Sequence, residues 1–284
     1  MKLGLIDVGG GMRGIYAAGV LDYCLDNDIH FDYTIGVSAG SANIASFLAG
    51  QRGRNYRFYH DYSFRKEYMG VEHYLKTGSF LNLEYIYGTL SNSDGEYPLD
   101  YDKMMENPAD FVVVATNAVS GKPCYFRKGS FERNSYTYFM ASSCVPGVDR
   151  PVIINNTPYF DGALSDPVPT DKAIEDGCTR YILLLTKPAD VLRTAGKDSV
   201  IAKSIRKKYP NAADGLLKRA ERYNRAVSDA KLLAAEGFSL ILAPDDITGV
   251  DTLKRDRDAL DRLYRKGLHD GQKISVWLEK QAYT

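Results

Sequence analysis

The chain has 284 residues, of which 44% are hydrophobic, and its formal net charge at pH 7 is zero. This length allows one large hydrophobic core, or one core with a small appendage, and the balanced charge excludes the general affinity for polyanions that nucleic-acid binding needs. No apolar run approaches the about 18 residues of a membrane span, and the first predicted strand begins without a signal-peptide pattern before it, so a cytoplasmic protein is expected.

The first predicted strand, residues 2–8, leads into a glycine-rich loop and then a helical stretch over residues 15–28. The loop consists of Gly9, Gly10, Gly11, Met12, Arg13 and Gly14. Glycines free backbone N–H groups to converge on one point, which suits a bound anion or an oxyanion. The loop also fits G-x-G-x-x-G, the pattern of a dinucleotide site. That site needs an acid after the second strand, and Asp32 precedes this strand, so the sequence favours an oxyanion hole.

The second predicted strand, residues 33–37, ends directly in Ser38, at the centre of the sequence GVSAG. A strand that turns at once into a helix strains the backbone of the central residue, and only small residues two positions to either side avoid a clash. Gly36 and Gly40 meet this requirement. A small, apolar helix is predicted over residues 41–50 and ends in a glycine suited to a C-cap. Although so short a pattern also occurs by chance, this context predicts that Ser38 is a nucleophile.

Aromatic residues are concentrated between residues 56 and 101. This segment contains nine tyrosines together with Phe58, Phe64 and Phe80. Amphipathic rings suit a surface that meets lipid or lines an acyl pocket, and ordinary helix packing explains them equally well. We expect the segment to form a cap over Ser38.

A serine nucleophile needs a base, which is usually a histidine held by a carboxylate. The chain has four histidines: His30, His60, His73 and His269. Each lies in a predicted turn, an exposed stretch or a helix end, so another base is required. Asp161 is the best candidate because an apolar hairpin strand delivers it to a position just before Gly162. Aspartate before glycine is also ordinary turn chemistry, and both interpretations of Asp161 remain open on the residues alone.

Strands predicted over residues 2–8, 33–37, 111–118 and 181–185 alternate with helices through the first 196 residues. This alternation is typical of a three-layer α/β/α sandwich with a mostly parallel central sheet, in which ligands bind at the carboxyl ends of the strands. Additional strands are predicted over residues 123–127 and 151–160.

The remainder of the chain differs in charge. Residues 197–284 contain 18 Lys and Arg against 13 Asp and Glu. We predict residues 1–196 as one domain and residues 197–284 as a mostly helical extension packed on it, with a strand over residues 238–242 and a helix over residues 252–268. A basic face beside an aliphatic stripe can attract anionic lipid headgroups, and a solvated helix on the core is the alternative.

Three motifs follow one another along the chain: GGGMRG at residues 9–14, GVSAG at 36–40 and DGA at 161–163, the last preceded by ASSCVPGV at 141–148. In this order they resemble the patatin-like phospholipases, and the resemblance covers residues 3–169. It implies that residues 1–196 form a patatin-like acyl hydrolase domain with a Ser-Asp dyad, in which Ser38 is the nucleophile and Asp161 the proton acceptor. It further implies an oxyanion hole formed by Gly9, Gly10, Gly11, Met12 and Arg13, and motif support from Gly14, Gly36, Gly40, Gly162 and Ala163.

We therefore expect a serine acyl hydrolase, a carboxylic ester hydrolase that cleaves lipid acyl esters such as those of phospholipids or lysophospholipids. The expected partners are the lipid or acyl-ester substrate and a membrane surface touched peripherally, with no nucleic acid. No metal ion or cofactor is expected, because no cluster of ligand-type side chains accompanies Asp7. Two other functions stay open: a non-catalytic lipid-binding module, and a dinucleotide-binding oxidoreductase that uses the G-x-G-x-x-G loop.

Overall fold

One eight-stranded sheet forms the centre of the protein. The structure is a computed structural model that describes residues 1–281. Its strands are β1 (Leu3–Asp7), β2 (Tyr33–Val37), β3 (Asp110–Asn117), β4 (Pro123–Arg127), β5 (Val152–Ile154), β6 (Thr157–Asp161), β7 (Arg180–Leu184) and β8 (Ser239–Leu242). Its α-helices are α1 (Ile15–Asp26), α2 (Ala39–Leu48), α3 (Arg54–His60), α4 (Val71–Thr77), α5 (Tyr101–Glu106), α6 (Thr137–Ser143), α7 (Thr170–Glu175), α8 (Gly196–Ile205), α9 (Pro210–Leu217), α10 (Arg219–Ala235) and α11 (Arg257–Gln281).

Five strands of the sheet are parallel, in the spatial order β3, β2, β1, β7, β8. The other three run against their neighbours, because β4 and β6 pair with β3 and β5 pairs with β6 in antiparallel fashion. The mostly parallel sheet predicted from the alternation of strands and helices is therefore confirmed.

Helices cover both faces of this sheet. Along β7, Ile182 and Leu184 belong to a core shared with α1, α2 and α11, while Tyr181 and Leu183 belong to a second core shared with α7 and α10. Successive side chains of a strand point to opposite faces of the sheet, so this one strand contributes residues to two hydrophobic cores. The result is an α/β/α arrangement with a helical layer on either side.

Residues beyond 196 complete this fold. Strand β8 extends the sheet beside β7, and α11 lies against α1 at close range, since a Cβ on Gly267 or on Gly19 would collide with the backbone of the other helix. The Tyr16 hydroxyl on α1 donates to Asp270 on α11 at 2.8 Å. The division into two domains at residue 196 stays a prediction.

The helix predicted over residues 252–268 is wrong at both ends. It begins later because Asp256 caps it, its side chain accepting the N–H of Ala259 at 2.9 Å. It continues to Gln281, and this added length places Ile274 in the hydrophobic core and Gly271 against the side chain of Tyr23. Within residues 1–281, no helix is long and apolar enough to cross a membrane.

Candidate active site

Ser38 occupies a strained turn between β2 and α2. Its backbone has φ 57° and ψ −132°, a conformation that residues other than glycine rarely adopt. The predicted need for small neighbours is confirmed, because a Cβ on Gly36 would lie 2.6 Å from the backbone of Ser41 and one on Gly40 would lie 2.7 Å from the carboxyl carbon of Asp7. The turn therefore lifts the serine side chain out of the sheet at the carboxyl end of β2.

The backbone of this turn is held by a neighbouring serine. The Ser38 N–H donates to the Ser142 hydroxyl at 2.8 Å, and this hydroxyl donates to the Val114 carbonyl of β3 at 2.6 Å. Ser142 is fully buried, so it fixes the position of Ser38 and is not itself exposed to substrate. Sequence reasoning did not assign it a role, although it lies in the ASSCVPGV segment.

Strand β3 brings Ser38 and Asp161 together. Its residue Val114 pairs with Val37, the residue before Ser38, and the next residue, Ala115, pairs with Asp161. Strand β4 pairs along Val112–Thr116, a stretch that overlaps the pairings of both β2 and β6, so β4 must occupy the opposite edge. Strands β2 and β6 therefore run toward each other along the same edge of β3, and their ends meet at Ser38 and Asp161.

Asp161 is buried, with 5% of its surface exposed. The N–H of Ala163 donates to its Oδ1 at 2.8 Å, which orients the carboxyl group. Burial raises the pKa of Asp161, and this rise is opposed by the nearby Ser38 hydroxyl, by the N–H of Ala163 and by the positive charges of Arg219 and Arg193. The arrangement favours a carboxyl group that binds a proton more readily than an exposed aspartate does.

The glycine loop faces Ser38 with some of its amides free. Gly9, Gly10 and Gly11 all have positive φ, at 64°, 122° and 61°. The N–H of Gly9 donates to Asp7 at 2.9 Å, and the N–H of Met12 donates to the Thr252 carbonyl at 3.1 Å. Among the described residues, no acceptor takes the N–H of Gly10 or Gly11. Of the predicted oxyanion-hole residues, these two present open donors.

Asp7 supports the loop from behind. Its second carboxylate oxygen accepts from Asn43 at 2.9 Å, and the Tyr59 hydroxyl donates to the Asn43 side chain at 3.0 Å. Burial raises the pKa of Asp7 to about 6, against the lowering effect of the hydrogen bonds from Asn43 and Gly9. Because it holds Gly9 and does not line either cavity described below, Asp7 is a positioning residue.

The side chain of Arg13 is buried beside the same loop. Its guanidinium bonds to Asp251, and to the Thr252 hydroxyl at 3.1 Å. Among the residues that the structure describes, the Nε of Arg13 has no hydrogen-bond partner, and it lies 3.5 Å from the point where a Cβ on Gly10 would stand. A buried donor is thus left unpaired next to the open amides.

Ser38 lines an apolar cavity. This cavity measures about 100 Å³ and is lined largely by the aromatic segment and its neighbours, among them Phe58, Tyr59, Tyr68, Met69, Leu81 and Tyr87. Arg54 fastens this segment to α2, because it donates to the hydroxyls of Ser46 and Ser91 at 3.0 and 2.8 Å. The segment thus lies over Ser38 as a cap, as expected from its composition.

Ser38 also lines a second, more polar cavity, which measures about 670 Å³. Its walls include Ser38, Asp161, the glycine loop and residues that follow β7 or belong to the C-terminal region. The four histidines line neither cavity. In the part of the chain that the structure describes, no group of three His, Cys, Asp or Glu is arranged to hold a metal ion.

The chain matches two known protein families. Residues 8–174 match the family described as Patatin-like phospholipase, and residues 209–279 match a family described as a domain of unknown function, DUF6363. The first match covers more than half of the chain, and its range includes the glycine loop, Ser38 and Asp161.

Two individual proteins are similar to this chain. The uncharacterized protein YjjU of Escherichia coli (strain K12) is 27% identical over 198 residues, which cover 68% of this chain and 54% of YjjU. This chain therefore spans about half the length of that curated relative. The crystal structure of VipD from Legionella pneumophila is similar with a TM-score of 0.50 and 13% identity, over 96% of this chain and 66% of VipD.

The likeness to VipD extends to nearly the whole of this chain and shows a shared fold. The family match covers the three motifs that the sequence analysis identified. The chain belongs to the patatin-like phospholipase family.

Proposed function

We propose that this protein is a serine acyl hydrolase that cleaves lipid acyl esters through a dyad of Ser38 and Asp161. One observation carries the proposal: β3 aligns the ends of β2 and β6, so that Ser38 and Asp161 come together, with Ser38 lining both cavities and Asp161 lining the polar one. A nucleophile beside its base, with space for the two halves of an ester, is what acyl transfer requires.

In the proposed reaction, Oγ of Ser38 forms a bond to the ester carbonyl carbon while its proton passes to Asp161. Collapse of the tetrahedral intermediate breaks the ester C–O bond, and the proton from Asp161 goes to the leaving alcohol. Water then attacks the carbonyl carbon of the acyl-serine while Asp161 takes a proton from it. Collapse of this second tetrahedral intermediate breaks the bond between the carbonyl carbon and Oγ of Ser38, the proton returns from Asp161 to Oγ, and the carboxylic acid is released. The raised pKa of Asp161 suits both directions of this proton transfer.

The oxyanion of the intermediate is assigned to the amides of Gly10 and Gly11. These N–H groups are open, whereas those of Gly9 and Met12 are bound to Asp7 and Thr252. We propose that Gly9 and Met12 shape the loop, and that Arg13 adds positive charge behind it.

The apolar cavity is proposed to hold the acyl chain. At about 100 Å³ it is smaller than the about 150 Å³ that takes up a benzene molecule in an engineered protein core. A chain of more than a few carbons therefore requires part of the cap to move. Helix α4 is the part of the cap proposed to move, since it contributes no buried residue and lies between Tyr68 and Leu81, two residues of the cavity wall.

We propose that α4 also makes a peripheral membrane contact. Val71, Tyr74 and Leu75 lie at positions i, i+3 and i+4 of one helix face, and Val71 and Leu75 are 66% and 79% exposed. Replacing both Val71 and Leu75 with aspartate is expected to reduce hydrolysis of phospholipid vesicles by about tenfold, because two apolar side chains no longer enter the lipid.

The control for this pair is Leu232→Asp, which replaces an equally exposed leucine on α10. It is expected to leave vesicle hydrolysis unchanged, and the α4 variant is expected to retain hydrolysis of a dissolved short-chain ester. Equal loss on vesicles for both variants, or no loss for the α4 variant, would contradict the membrane contact.

The pH dependence of the reaction follows from the environment of Asp161. Asp161 must be ionised to accept a proton, so kcat/KM is expected to rise with pH through a pKa above the ordinary aspartate value. Because the charge of Arg193 lowers this pKa, Arg193→Gln is expected to move the rising limb to higher pH. Arg225→Gln, which removes an exposed charge from α10, serves as the control. A limb that moves to lower pH in the Arg193 variant would contradict Asp161 as the titrating base.

Ser38→Ala tests the proposed function against a non-catalytic lipid-binding module. We expect this variant to lose fatty-acid release from phospholipid and lysophospholipid micelles to below one thousandth of the original rate, a loss of order 10³-fold or more. Ser130→Ala, at an exposed serine, is the control. Release that persists in Ser38→Ala contradicts the proposed nucleophile, while lipid binding without release by the unmodified protein favours the binding module.

A further inference from the structure

The polar cavity beside Ser38 is strongly cationic. Its lining contains six basic side chains: Arg13, Lys187, Arg193, Lys197, Arg219 and Lys254. Within residues 1–281, three carboxyl groups accompany them in the lining: Asp161, Asp198 and Asp251. One of these three is the proposed base, so at most two carboxylates are left to balance six positive charges.

Two of the basic side chains have their own partners. Arg219 is bound through both ends of its guanidinium to Asp198, with its Nε at 2.8 Å. Arg13 is paired with Asp251. Arg193 reaches Asp198 at 4.0 Å, and that carboxylate is already occupied by Arg219. Both carboxylates of the cavity wall other than Asp161 are therefore already paired with arginines.

Lys187 has no such partner. It is half-buried, and within residues 1–281 its ammonium group forms neither a salt bridge nor a hydrogen bond. Burial lowers the pKa of Lys187, as do the charges of Arg13 and Arg193. Burial also lowers the pKa of Arg193 to about 10, together with the charge of Arg219. Crowding of like charges in a partly buried site destabilises the free protein and is relieved when an anion binds.

The excess charge lies next to the reaction centre. Lys187 directly follows Thr186, whose hydroxyl donates to the Gly9 carbonyl in the glycine loop. The unpaired Nε of buried Arg13 adjoins Gly10. An ester with its acyl chain in the apolar cavity would direct its alcohol portion into the polar cavity, since Ser38 lines both.

We propose that Lys187 is the principal charged residue by which this cavity binds a phosphate group on the alcohol side of the ester, so that Lys187 sets a preference for phosphate-bearing esters over neutral ones. This inference rests on the proposed function of Ser38. The residues involved lie beyond residue 174, outside the matched patatin-like segment, except for Arg13. Specificity for the headgroup is thus a contribution of the later part of the chain.

Binding to a variant without turnover tests this inference. In the full chain carrying Ser38→Ala, affinities are measured for three probes: an alkyl ether analogue of a lysophospholipid with a terminal phosphate, the same ether without the phosphate, and glycerol phosphate without the chain. We expect the phosphate ether to bind about tenfold tighter than each of the other two, because a charge-assisted contact and the buried chain each contribute.

Substitutions of Lys187 in this background assign the preference. Lys187→Gln is expected to weaken binding of the phosphate ether by about tenfold, and Lys187→Arg to retain most of it. Lys203→Gln, which removes an exposed charge from α8 outside the cavity, should change it by less than about twofold. Since Lys187→Gln relieves repulsion, its melting temperature should be equal to or above that of the parent, which separates lost binding from lost folding.

Three results would overturn the inference. Equal affinity for the phosphate and neutral ethers removes the headgroup preference, and equal weakening of both by Lys187→Gln removes the role of this lysine. Glycerol phosphate that binds as tightly as the lipid ether assigns the cavity to free phosphate compounds. None of these measurements requires Ser38 to react, so a failure of the proposed catalysis would be seen separately as intact binding without ester turnover.

Discussion

Asp161→Asn is expected to lower kcat/KM for ester hydrolysis by about 10²- to 10⁴-fold, the range that general-base catalysis contributes. Asparagine has nearly the same shape as aspartate and its oxygen can still accept the N–H of Ala163, so the geometry of the turn is retained. It cannot take the proton of Ser38, and the serine hydroxyl alone is a weak nucleophile.

The same substitution has a second readout in stability. Burial raises the pKa of Asp161, so the folded state favours the protonated carboxyl group more than the unfolded chain does, and this contribution to stability is lost as pH rises through the folded pKa. At neutral pH the neutral asparagine is therefore expected to leave the melting temperature unchanged or to raise it. Loss of activity without loss of stability would distinguish a catalytic carboxyl group from a structural one.

Asp166→Asn provides the matched control for this variant. Asp166 is also a carboxyl group whose pKa burial raises, to about 6, and it accepts a hydrogen bond from Tyr125 at 2.8 Å. It lines neither cavity, so its substitution should leave kcat/KM within about twofold. Activity near the original level in Asp161→Asn, or an equal loss in Asp166→Asn, would contradict the assignment of the base.

Gly10→Ala is expected to lower kcat by about 10²- to 10³-fold, the effect of losing a donor of an oxyanion hole. Gly10 has φ 122°, and a Cβ there would lie 2.5 Å from the Thr186 hydroxyl and 3.1 Å from the guanidinium of Arg13. The loop must shift to admit the methyl group, and the open amides of Gly10 and Gly11 shift with it. KM should change much less, because the loop acts on the transition state.

The control for Gly10→Ala must carry the same backbone penalty away from the site. Gly237 has φ 80°, and no described residue lies within 4 Å of an added Cβ, so Gly237→Ala incurs the about 1–2 kcal/mol of left-handed strain alone. It is expected to reduce stability and leave kcat unchanged. If Gly10→Ala also leaves kcat unchanged, the oxyanion does not bind at this loop.

The parts of the site that depend on local backbone geometry were predictable from sequence. The turn at Ser38 needs small residues at positions 36 and 40 for steric reasons that involve only its own strand and helix, and β2 was predicted with its bounds Tyr33–Val37. The cap over Ser38 followed from composition, because a dense run of aromatic residues must pack on or line something.

The parts that depend on long-range contacts were not predictable. Met12 looked like a loop amide of the oxyanion hole, and only the fold shows that the Thr252 carbonyl, 240 positions later, occupies its N–H. The cationic cavity unites Arg13, Lys187, Arg193 and Arg219, which no local pattern connects. The excess of basic residues after residue 196 indicated in part where the cationic cavity draws its charge. Lys187 and Arg193, however, precede that boundary.

Covalent labelling with a fluorophosphonate probe tests the central proposal most directly. Four proteins are labelled and then analysed by intact mass spectrometry and peptide mapping: the unmodified protein, Ser38→Ala, Asp161→Asn and the control Ser130→Ala. We predict one adduct on Ser38 in the unmodified protein and in Ser130→Ala, and none in Ser38→Ala or Asp161→Asn. Labelling at another residue, or full labelling of Ser38 in Asp161→Asn, would contradict the Ser38–Asp161 dyad.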